Sequence, residues 1–326
     1  MSRLLLNQLH KEILESLTQP EFLKRVNIPE ERIQSFIINK KFVNNLLVLL
    51  SKKKIMCKDV VDLSLDILNN LCPDPPKDWL FYIFQYTLYK SFPGSVTIKL
   101  YPKYENGALI YLEILRTIFN HEMNNKEFDL YSNFSFLTKE EISSLPNPEE
   151  YNKFLEVFNK NYIYEMMRMD AEINGYNTLE HTAAVHYVSM HVGRQMHKAG
   201  IPVNLGLVSG AAAGHDIGKY GCKNEEKHRV AYLHYYYTDT WFLKNNMPSI
   251  AHIAANHSTW DLELETLPLE SLILIYADFR VKNKATKNGN LMNIYNLTDS
   301  FQIILDKLDN VDEAKEKRYI RVYSKL

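Results

Sequence analysis

Residues 210–221 read GAAAGHDIGKYG, and here a run of glycine and alanine leads directly into His215 and Asp216. Small side chains allow another helix to approach the backbone closely. Gly218 favours the end of a helix, and Lys219 adds a cation next to the carboxylate. Considered alone, this stretch is either a polar helix terminus at the surface or a metal site where helices pack closely.

The composition limits the class of protein. The chain has 326 residues, which predicts about two domains, and its 46% hydrophobic and 24% charged content is typical of a soluble globular protein. Lys plus Arg (38) nearly balances Asp plus Glu (39). Since no basic field results, the composition argues against nucleic acid and anionic membrane as partners.

The cysteines and the apolar segments favour a cytoplasmic location. Cys57, Cys72 and Cys222 are odd in number and far apart, which fits a reducing compartment better than a disulfide framework. The N-terminus reads as an amphipathic helix and lacks a signal-peptide cleavage site. The longest apolar stretch, residues 267–277, contains Glu270 and is too short to span a membrane.

The order of patterns predicts a mainly α protein of two domains. Helical periodicity dominates residues 1–72, CPDPP at 72–76 interrupts it, and SSLPNPEE at 143–150 is the predicted linker. We therefore expect an N-terminal helical domain over 1–145 and a second domain over 150–326. SVTIKLY at 95–101 and the Asn106-Gly107 pair predict either a small hairpin or a short helix. The abrupt C-terminus leaves open a longer polypeptide with further domains. A homo-oligomer is left open as well.

The segment 177–200 predicts one long helix with histidines on several faces. Asn177 or Thr178 is the expected N-cap, and Gly200 the expected stop. His181 shares a face with Val185, Val188 and Val192, so it is expected to face the core. His186 and His197 fall on roughly the opposite face and are predicted to be exposed.

A second carboxylate lies on an apolar helix further along. Asp278 follows the nearly uninterrupted apolar run 272–277, and a buried carboxylate is costly unless it is paired or bound to a metal. His257 follows another apolar stretch. Imidazole and carboxylate donors from separate helices suit one or two divalent transition-metal ions (Fe, Mn, Co, Ni or Zn).

These motifs resemble a known family. HTxxV at 181–185, GHDIGK at 214–219, NHST at 256–259 and YADFR at 276–280 are similar to the ordered motifs of the HD-domain superfamily of metal-dependent phosphohydrolases, in its HDIG subset. The resemblance covers roughly residues 160–300 and implies an all-α helical bundle for the C-terminal domain. The GYP signature of the branch acting on cyclic di-GMP is absent.

The resemblance also implies the ligand set. His181, His215, Asp216 and Asp278 match the four ligands of the family's primary ion, and Asp216 would bridge to a second ion in two-metal members.

The second site is less well matched to the family. His257 fits one histidine of that site, whereas Asn256 stands where some members have another. For the remaining ligand, His234 is preferred over His228 because of its spacing to the following proline. His252 is expected to support the structure or the ligands.

We expect a metal-dependent phosphohydrolase that cleaves a nucleotide or dinucleotide phosphate ester or anhydride with metal-activated water. Asp216 and Lys219 are the expected catalytic residues. Lys219, Arg280 and Lys282 are expected to bind substrate phosphate, although the last two also fit solvated surface charges. One of the nearby aromatic residues fits base stacking, but a core or rim role is favoured for each of them: Tyr235, Tyr236, Tyr237, Trp241 and Trp260.

Two alternatives remain open at the level of sequence. The same ligands on the same fold support di-iron oxygenases, which activate oxygen rather than hydrolyse phosphate. The domain could instead be a regulatory binding module with a vestigial metal site, with the function in residues 1–145. Retention of His181, His215, Asp216 and Asp278 together argues against the second alternative.

Overall fold

Residues 3–258, 266–286, 289–307 and 311–325 are described by a computed structural model of the chain, and the described part is mainly α-helical. This confirms the predicted fold class. The elements in chain order are α1 (Arg3–Leu17), α2 (Pro20–Val26), α3 (Glu30–Ile37), α4 (Lys40–Leu50), α5 (Cys57–Leu71), α6 (Trp79–Ser91), α7 (Glu105–Asn125), α8 (Lys139–Ser143), α9 (Glu149–Lys160), α10 (Ile163–Ile173), α11 (Thr178–Lys198), α12 (Leu205–Gly214), α13 (Val230–Lys244), α14 (Pro248–Ala255), α15 (Leu269–Arg280), β1 (Val281–Thr286), β2 (Gly289–Ile294), α16 (Leu297–Lys307) and α17 (Glu313–Tyr323).

The chain forms two compact units whose segments interleave along the sequence. The first unit comprises residues 1–128 and 161–176, and the second comprises 129–160 and 177–326. The sequence pattern had predicted one boundary near the prolines at 146 and 148. In the structure the chain changes unit three times, because α8 and α9 pack in the second unit whereas α10 packs in the first.

In the first unit, α7 is the central helix. It packs against α1, α5 and α6, and most of its side chains between Gly107 and Phe119 are buried. A charged pair lies in this core: Nε of Arg116 donates to Glu165 at 2.9 Å, and the guanidinium lies over the ring of Tyr162. The buried charge is therefore paired, as its burial requires.

The hairpin predicted near residues 95–107 is not present. Asn106 and Gly107 lie in the first turn of α7, and a Cβ at Gly107 would lie 3.1 Å from the ring of Trp79, so this glycine serves helix packing. The backbone amides of the preceding segment bond to side chains of α6 instead of to a second strand. Thr97 N–H donates to Gln85 at 2.7 Å, and Tyr101 N–H donates to the Tyr82 hydroxyl at 2.8 Å.

The second unit is a bundle built around α11 and α12. These two helices pack against each other, and α15 packs against both. α13 packs against α14, and α14 packs against α12. Local signals begin the helices: the Asn204 side chain accepts hydrogen bonds from Gly206 N–H and Leu207 N–H at the start of α12, and Pro248 begins α14.

An antiparallel hairpin follows α15 directly and adds a small sheet to the helical unit. Val281 pairs with Ile294 at one end of β1–β2, and Thr286 pairs with Gly289 at the other. Both strands contact α11. None of the described helices is long and apolar enough to cross a membrane.

Candidate metal centre

Glycines in and after α12 allow neighbouring helices to approach the HD motif. A Cβ at Gly210 would lie 2.7 Å from Ile250 of α14, and one at Gly214 would lie 2.6 Å from the ring of Phe242 on α13. Both distances are too short for a real side chain. The small residues at 210–214 therefore serve close helix packing, as the sequence suggested.

Gly218 determines where α13 lies. It follows the end of α12 in the 3₁₀ turn Ile217–Gly221, and a Cβ here would overlap the backbone carbonyl of His234. Gly218 N–H donates to the Thr238 hydroxyl at 3.0 Å, and this hydroxyl donates to the carbonyl of His215 at 2.9 Å. The turn and α13 are thus joined one helical turn from His234.

The first group of candidate ligands combines residues from α11, the end of α12 and α15. Nε2 of His181 lies 3.4 Å from Nε2 of His215 and 3.0 Å from Oδ1 of Asp278. Oδ2 of Asp216 lies 3.4 Å from His181 Nε2 and 3.6 Å from His215 Nε2. We call His181 and His215 the first pair. The four ligands expected for a primary ion are therefore close together.

The second group lies on the other side of the Asp216 carboxylate. Nε2 of His234 on α13 and Nε2 of His257, just after α14, are 3.4 Å apart. Oδ1 of Asp216 lies 3.6 Å from His234 Nε2. We call His234 and His257 the second pair. Oδ2 of Asp216 thus lies near the first pair and Oδ1 near His234 of the second, which is the arrangement of a bridging carboxylate.

The protonation of the histidines indicates what the pairs can hold. Nδ1 of His215, His234 and His257 each contacts a backbone carbonyl, at 2.9, 2.8 and 2.5 Å respectively. Because a carbonyl only accepts hydrogen bonds, Nδ1 carries the proton and Nε2 of the neutral ring carries a lone pair. Burial lowers the pKa of His215, and it lowers the pKa of His257 to about 3, so both rings are neutral.

The spacing of these lone pairs fits a metal ion. Two bare imidazole nitrogens that face each other at 3.4 Å repel unless a cation lies between them. Two nitrogens about 2.1 Å from one ion at the tetrahedral angle lie about 3.4 Å apart. Each pair has this separation. Backbone carbonyls hold Nδ1 of His215, His234 and His257, and carbonyls are partners that orient metal-binding histidines, whereas Nε2 of His181 contacts Asp278.

The carboxylates stay ionised in this buried site. Burial alone would raise the pKa of Asp216, but the ammonium of Lys219 and the surrounding imidazoles outweigh it and hold that pKa well below its usual range. The same holds for Asp278. Burial would raise its pKa, but Lys282 and His181 outweigh burial and hold the pKa well below its usual range. The site therefore offers two negative charges to a cation at neutral pH.

Three basic residues were expected to contact substrate, and the structure places them differently. Nζ of Lys219 lies 2.5 Å from Oδ2 of Asp216, inside the site. Nζ of Lys282 donates to the backbone carbonyl of Asp278 at 2.7 Å and lies 3.9 Å from its Oδ1, at the edge of the site. Arg280 donates from Nε to the carbonyl of Tyr295 and from Nη1 to the Tyr276 hydroxyl, both at 2.6 Å.

Other residues considered from the sequence lie outside the cluster. His228 is exposed on the 3₁₀ turn Asn224–Arg229, and His252 is exposed on α14, where Asn256 donates to its carbonyl at 2.7 Å. Trp241 is buried in the core and Tyr236 is exposed. Thr259 and Trp260 lie outside the described residues.

One buried histidine contradicts the prediction from the helical pattern. His186 was expected to be exposed like His197, yet its side chain is fully buried. Its Nδ1 accepts from Ser135 N–H at 3.2 Å, and its Nε2 donates to the Ser209 hydroxyl at 3.0 Å. Segment 134–137 covers this face of α11, and a single helix pattern cannot reveal a cover supplied from a distant part of the chain.

Comparison of the chain with models of protein families, with curated proteins and with solved structures gives no match. The function is therefore inferred from the motifs and from the geometry of the site.

Proposed function

We propose that the second unit, residues 129–160 and 177–326, forms an HD-type domain that hydrolyses a phosphate ester or anhydride of a nucleotide or dinucleotide with the help of two divalent transition-metal ions. The observation that supports this proposal best is the pairing of four imidazole nitrogens around one carboxylate. Each pair is 3.4 Å apart; both histidines of the first pair lie near Oδ2 of Asp216, and His234 of the second pair lies near Oδ1.

Six residues would hold the ions. The first pair, Asp278 and Asp216 would hold one ion, and the second pair and Asp216 would hold the other. Such ions, whether Fe, Mn, Co, Ni or Zn, lower the pKa of bound water and polarise a phosphoryl oxygen. Asp216 orients both halves of the site at once, because its side chain is buried and contacts ligands of both pairs.

Lys219 is the proposed phosphate contact. Its ammonium lies within the site and interacts with Asp216, which outweighs the effect of burial and raises the lysine's pKa, so the cation persists at neutral pH. A fixed cation here would offset the negative charge that develops on the attacked phosphate. Lys282 lies at the edge of the site and is a second candidate.

Arg280 is left out of the proposed phosphate contacts. Both of the donors described above are directed at Tyr295 and Tyr276, and the guanidinium lies over the ring of Tyr276. These bonds hold the guanidinium at Tyr276 and Tyr295 and leave it fewer N–H donors for a phosphate.

The surroundings are consistent with a small phosphorylated substrate in the cytoplasm. The chain carries nearly equal numbers of acidic and basic residues, and the buried cysteines Cys57, Cys72 and Cys222 are free thiols. We therefore do not propose nucleic acid or membrane as a partner.

The decisive experiment is a turnover screen of the metal-loaded protein. Hydrolysis of nucleotides, dinucleotides and simple phosphate esters is followed by separating the products, because cleavage of a diester or of a dinucleoside polyphosphate releases no inorganic phosphate. Oxygen consumption is recorded in parallel, in the wild type and in Asp216→Ala. The proposal requires metal-dependent hydrolysis that Asp216→Ala abolishes. Oxygen uptake by a protein holding two irons would instead favour an oxygenase, and turnover that survives in Asp216→Ala would place the activity elsewhere.

A further inference from the structure

The ring of Tyr235 packs across both histidines of the second pair. Tyr235 follows His234 on α13, and its ring centroid lies 3.9 Å from that of His234 with an interplanar angle of 40°. It also lies 4.6 Å from the centroid of His257, at 38°. One half-buried aromatic side chain thus contacts two imidazoles that come from different helices of the bundle.

This contact restricts the rotation of the imidazole rings, which the hydrogen bonds at Nδ1 leave free. The second dihedral angle of a histidine is soft, so one bond from Nδ1 does not by itself fix the plane of the ring. His234 is held at Val230 O and His257 at Ala254 O, and both bonds are at Nδ1. An aromatic ring against the faces of both imidazoles restricts the rotation that would turn their Nε2 lone pairs apart.

The two pairs differ in how much support they receive from carboxylates. Nε2 of His181 lies 3.4 and 3.0 Å from oxygens of Asp216 and Asp278, whereas in the described ranges the contact of the second pair with a carboxylate is that of His234 with Oδ1 of Asp216, at 3.6 Å. Asp278 acts on His257 from a greater distance. A site with fewer charged ligands depends more on the orientation of its neutral ones. We therefore expect the second pair to be more sensitive to loss of a packing neighbour.

We propose that Tyr235 is a positioning residue of the second pair: its ring holds the imidazoles of His234 and His257 in the planes in which one ion can bind both. This inference rests on the proposed function, because it assumes that the pairs hold metal ions. The phenol itself is not a ligand in this account. The flat ring is what matters, so phenylalanine replaces it.

A cobalt(II) titration tests the inference. Metal-free protein is titrated with cobalt(II), and the number of bound ions, their affinities and the visible absorption of each are recorded. The set of variants is Tyr235→Ala, Tyr235→Phe and, as a matched control one residue along α13, Tyr236→Ala. Tyr236 is 63% exposed, and its ring contacts that of Tyr237. His234→Ala provides the spectrum of the first ion alone.

We expect two ions in the wild type, in Tyr235→Phe and in Tyr236→Ala. In Tyr235→Ala the first ion should bind as before, and the second should bind about 10- to 100-fold more weakly, so that the spectrum at moderate cobalt(II) matches that of His234→Ala. Should Tyr235→Ala fail to fold, Tyr235→Leu keeps an apolar side chain without the flat ring and should show the same selective loss.

Three results would overturn the inference. The first is a folded Tyr235→Ala or Tyr235→Leu that binds the second ion with wild-type affinity. The second is a Tyr235→Phe that loses it as fully as Tyr235→Ala does, since the hydroxyl would then be responsible. The third is a wild type that binds one ion only. This result would overturn the role of Tyr235, but hydrolysis with a single metal ion would still be compatible with it. A wild type that binds no ion would instead contradict the proposed function itself.

Discussion

The ammonium of Lys219 lies 2.5 Å from Oδ2 of Asp216, the same carboxylate oxygen that faces His181 and His215. Lys219 reaches this position because the 3₁₀ turn Ile217–Gly221 directs its side chain back towards the HD motif. A fixed positive charge therefore stands next to the oxygen on which the first ion would bind.

Lys219→Met is expected to impair turnover without removing the ions. Lysine supplies charge to the reacting phosphate but is not among the six proposed ligands, so kcat should fall about 100- to 1000-fold while metal content stays at the wild-type level. Steady-state kinetics and elemental analysis of the same preparation measure both quantities. A variant with wild-type kcat would show that this ammonium does not contact the reacting group.

Arg280→Met is the matched control for this charge. Because Arg280 donates to Tyr295 and Tyr276, its loss should lower the free energy of unfolding by about 1–3 kcal/mol and leave kcat and KM unchanged. A raised KM in a stable Arg280→Met protein would restore arginine as a phosphate contact.

Gly218→Ala is expected to disturb the second pair and the fold together. The added Cβ would overlap the carbonyl of His234, which belongs to the backbone of α13 and cannot rotate away. We expect a loss of about 3 kcal/mol or more in the free energy of unfolding, measured by urea denaturation, and weaker binding of the second ion.

Gly200→Ala separates packing from backbone strain. Gly200 has φ of 80° and open space around its Cβ position, so alanine there should cost about 1–2 kcal/mol and leave ion binding intact. Equal effects of the two substitutions on ion binding would contradict the role assigned to Gly218.

The buried His186 predicts a pH dependence of stability. Burial lowers the pKa of His186 to about 3, against about 6.5 in an unfolded chain, so the folded state binds fewer protons between these values. Its contribution is complete above pH 6.5 and is lost as the pH falls towards 3, by at most about 1.4 kcal/mol for each pH unit.

His186→Gln removes this titration. Relative to the wild type, the variant should be less stable at pH 8, and the difference should shrink by about 2 kcal/mol at pH 5. Parallel stability curves for wild type and His186→Gln would contradict a neutral, buried His186.

The sequence predicted the helices and the residues of the first pair, but it did not predict which distant side chains pack around them. His181 and Asp278 could be identified because each lies on an apolar helical face. His215 and Asp216 could be identified because a histidine and an aspartate stand side by side directly after a run of glycine and alanine. The burial of His186 could not be predicted, since it depends on Ser135 and the segment around it, about 50 residues away in the chain. The position of Tyr235 over two histidines likewise depends on how α13 and α14 meet.

The hairpin, one of the two alternatives predicted for residues 95–107, is absent for a similar reason. The pattern at 95–101 and the Asn106-Gly107 pair both favour two strands joined by a turn. In the structure, however, the backbone amides of this segment donate to Gln85 and Tyr82 of α6 rather than to a second strand. Local sequence cannot show that a side chain will take the place of a neighbouring strand.

The most direct test of the two-ion centre is the number of metal ions per chain after reconstitution and removal of excess metal, measured by elemental analysis in wild type and Asp216→Ala. The proposed geometry predicts two ions in the wild type, and it predicts that Asp216→Ala loses affinity at both sites because one carboxylate faces both pairs. A wild type that retains no metal, or an Asp216→Ala protein that retains two ions, would contradict it.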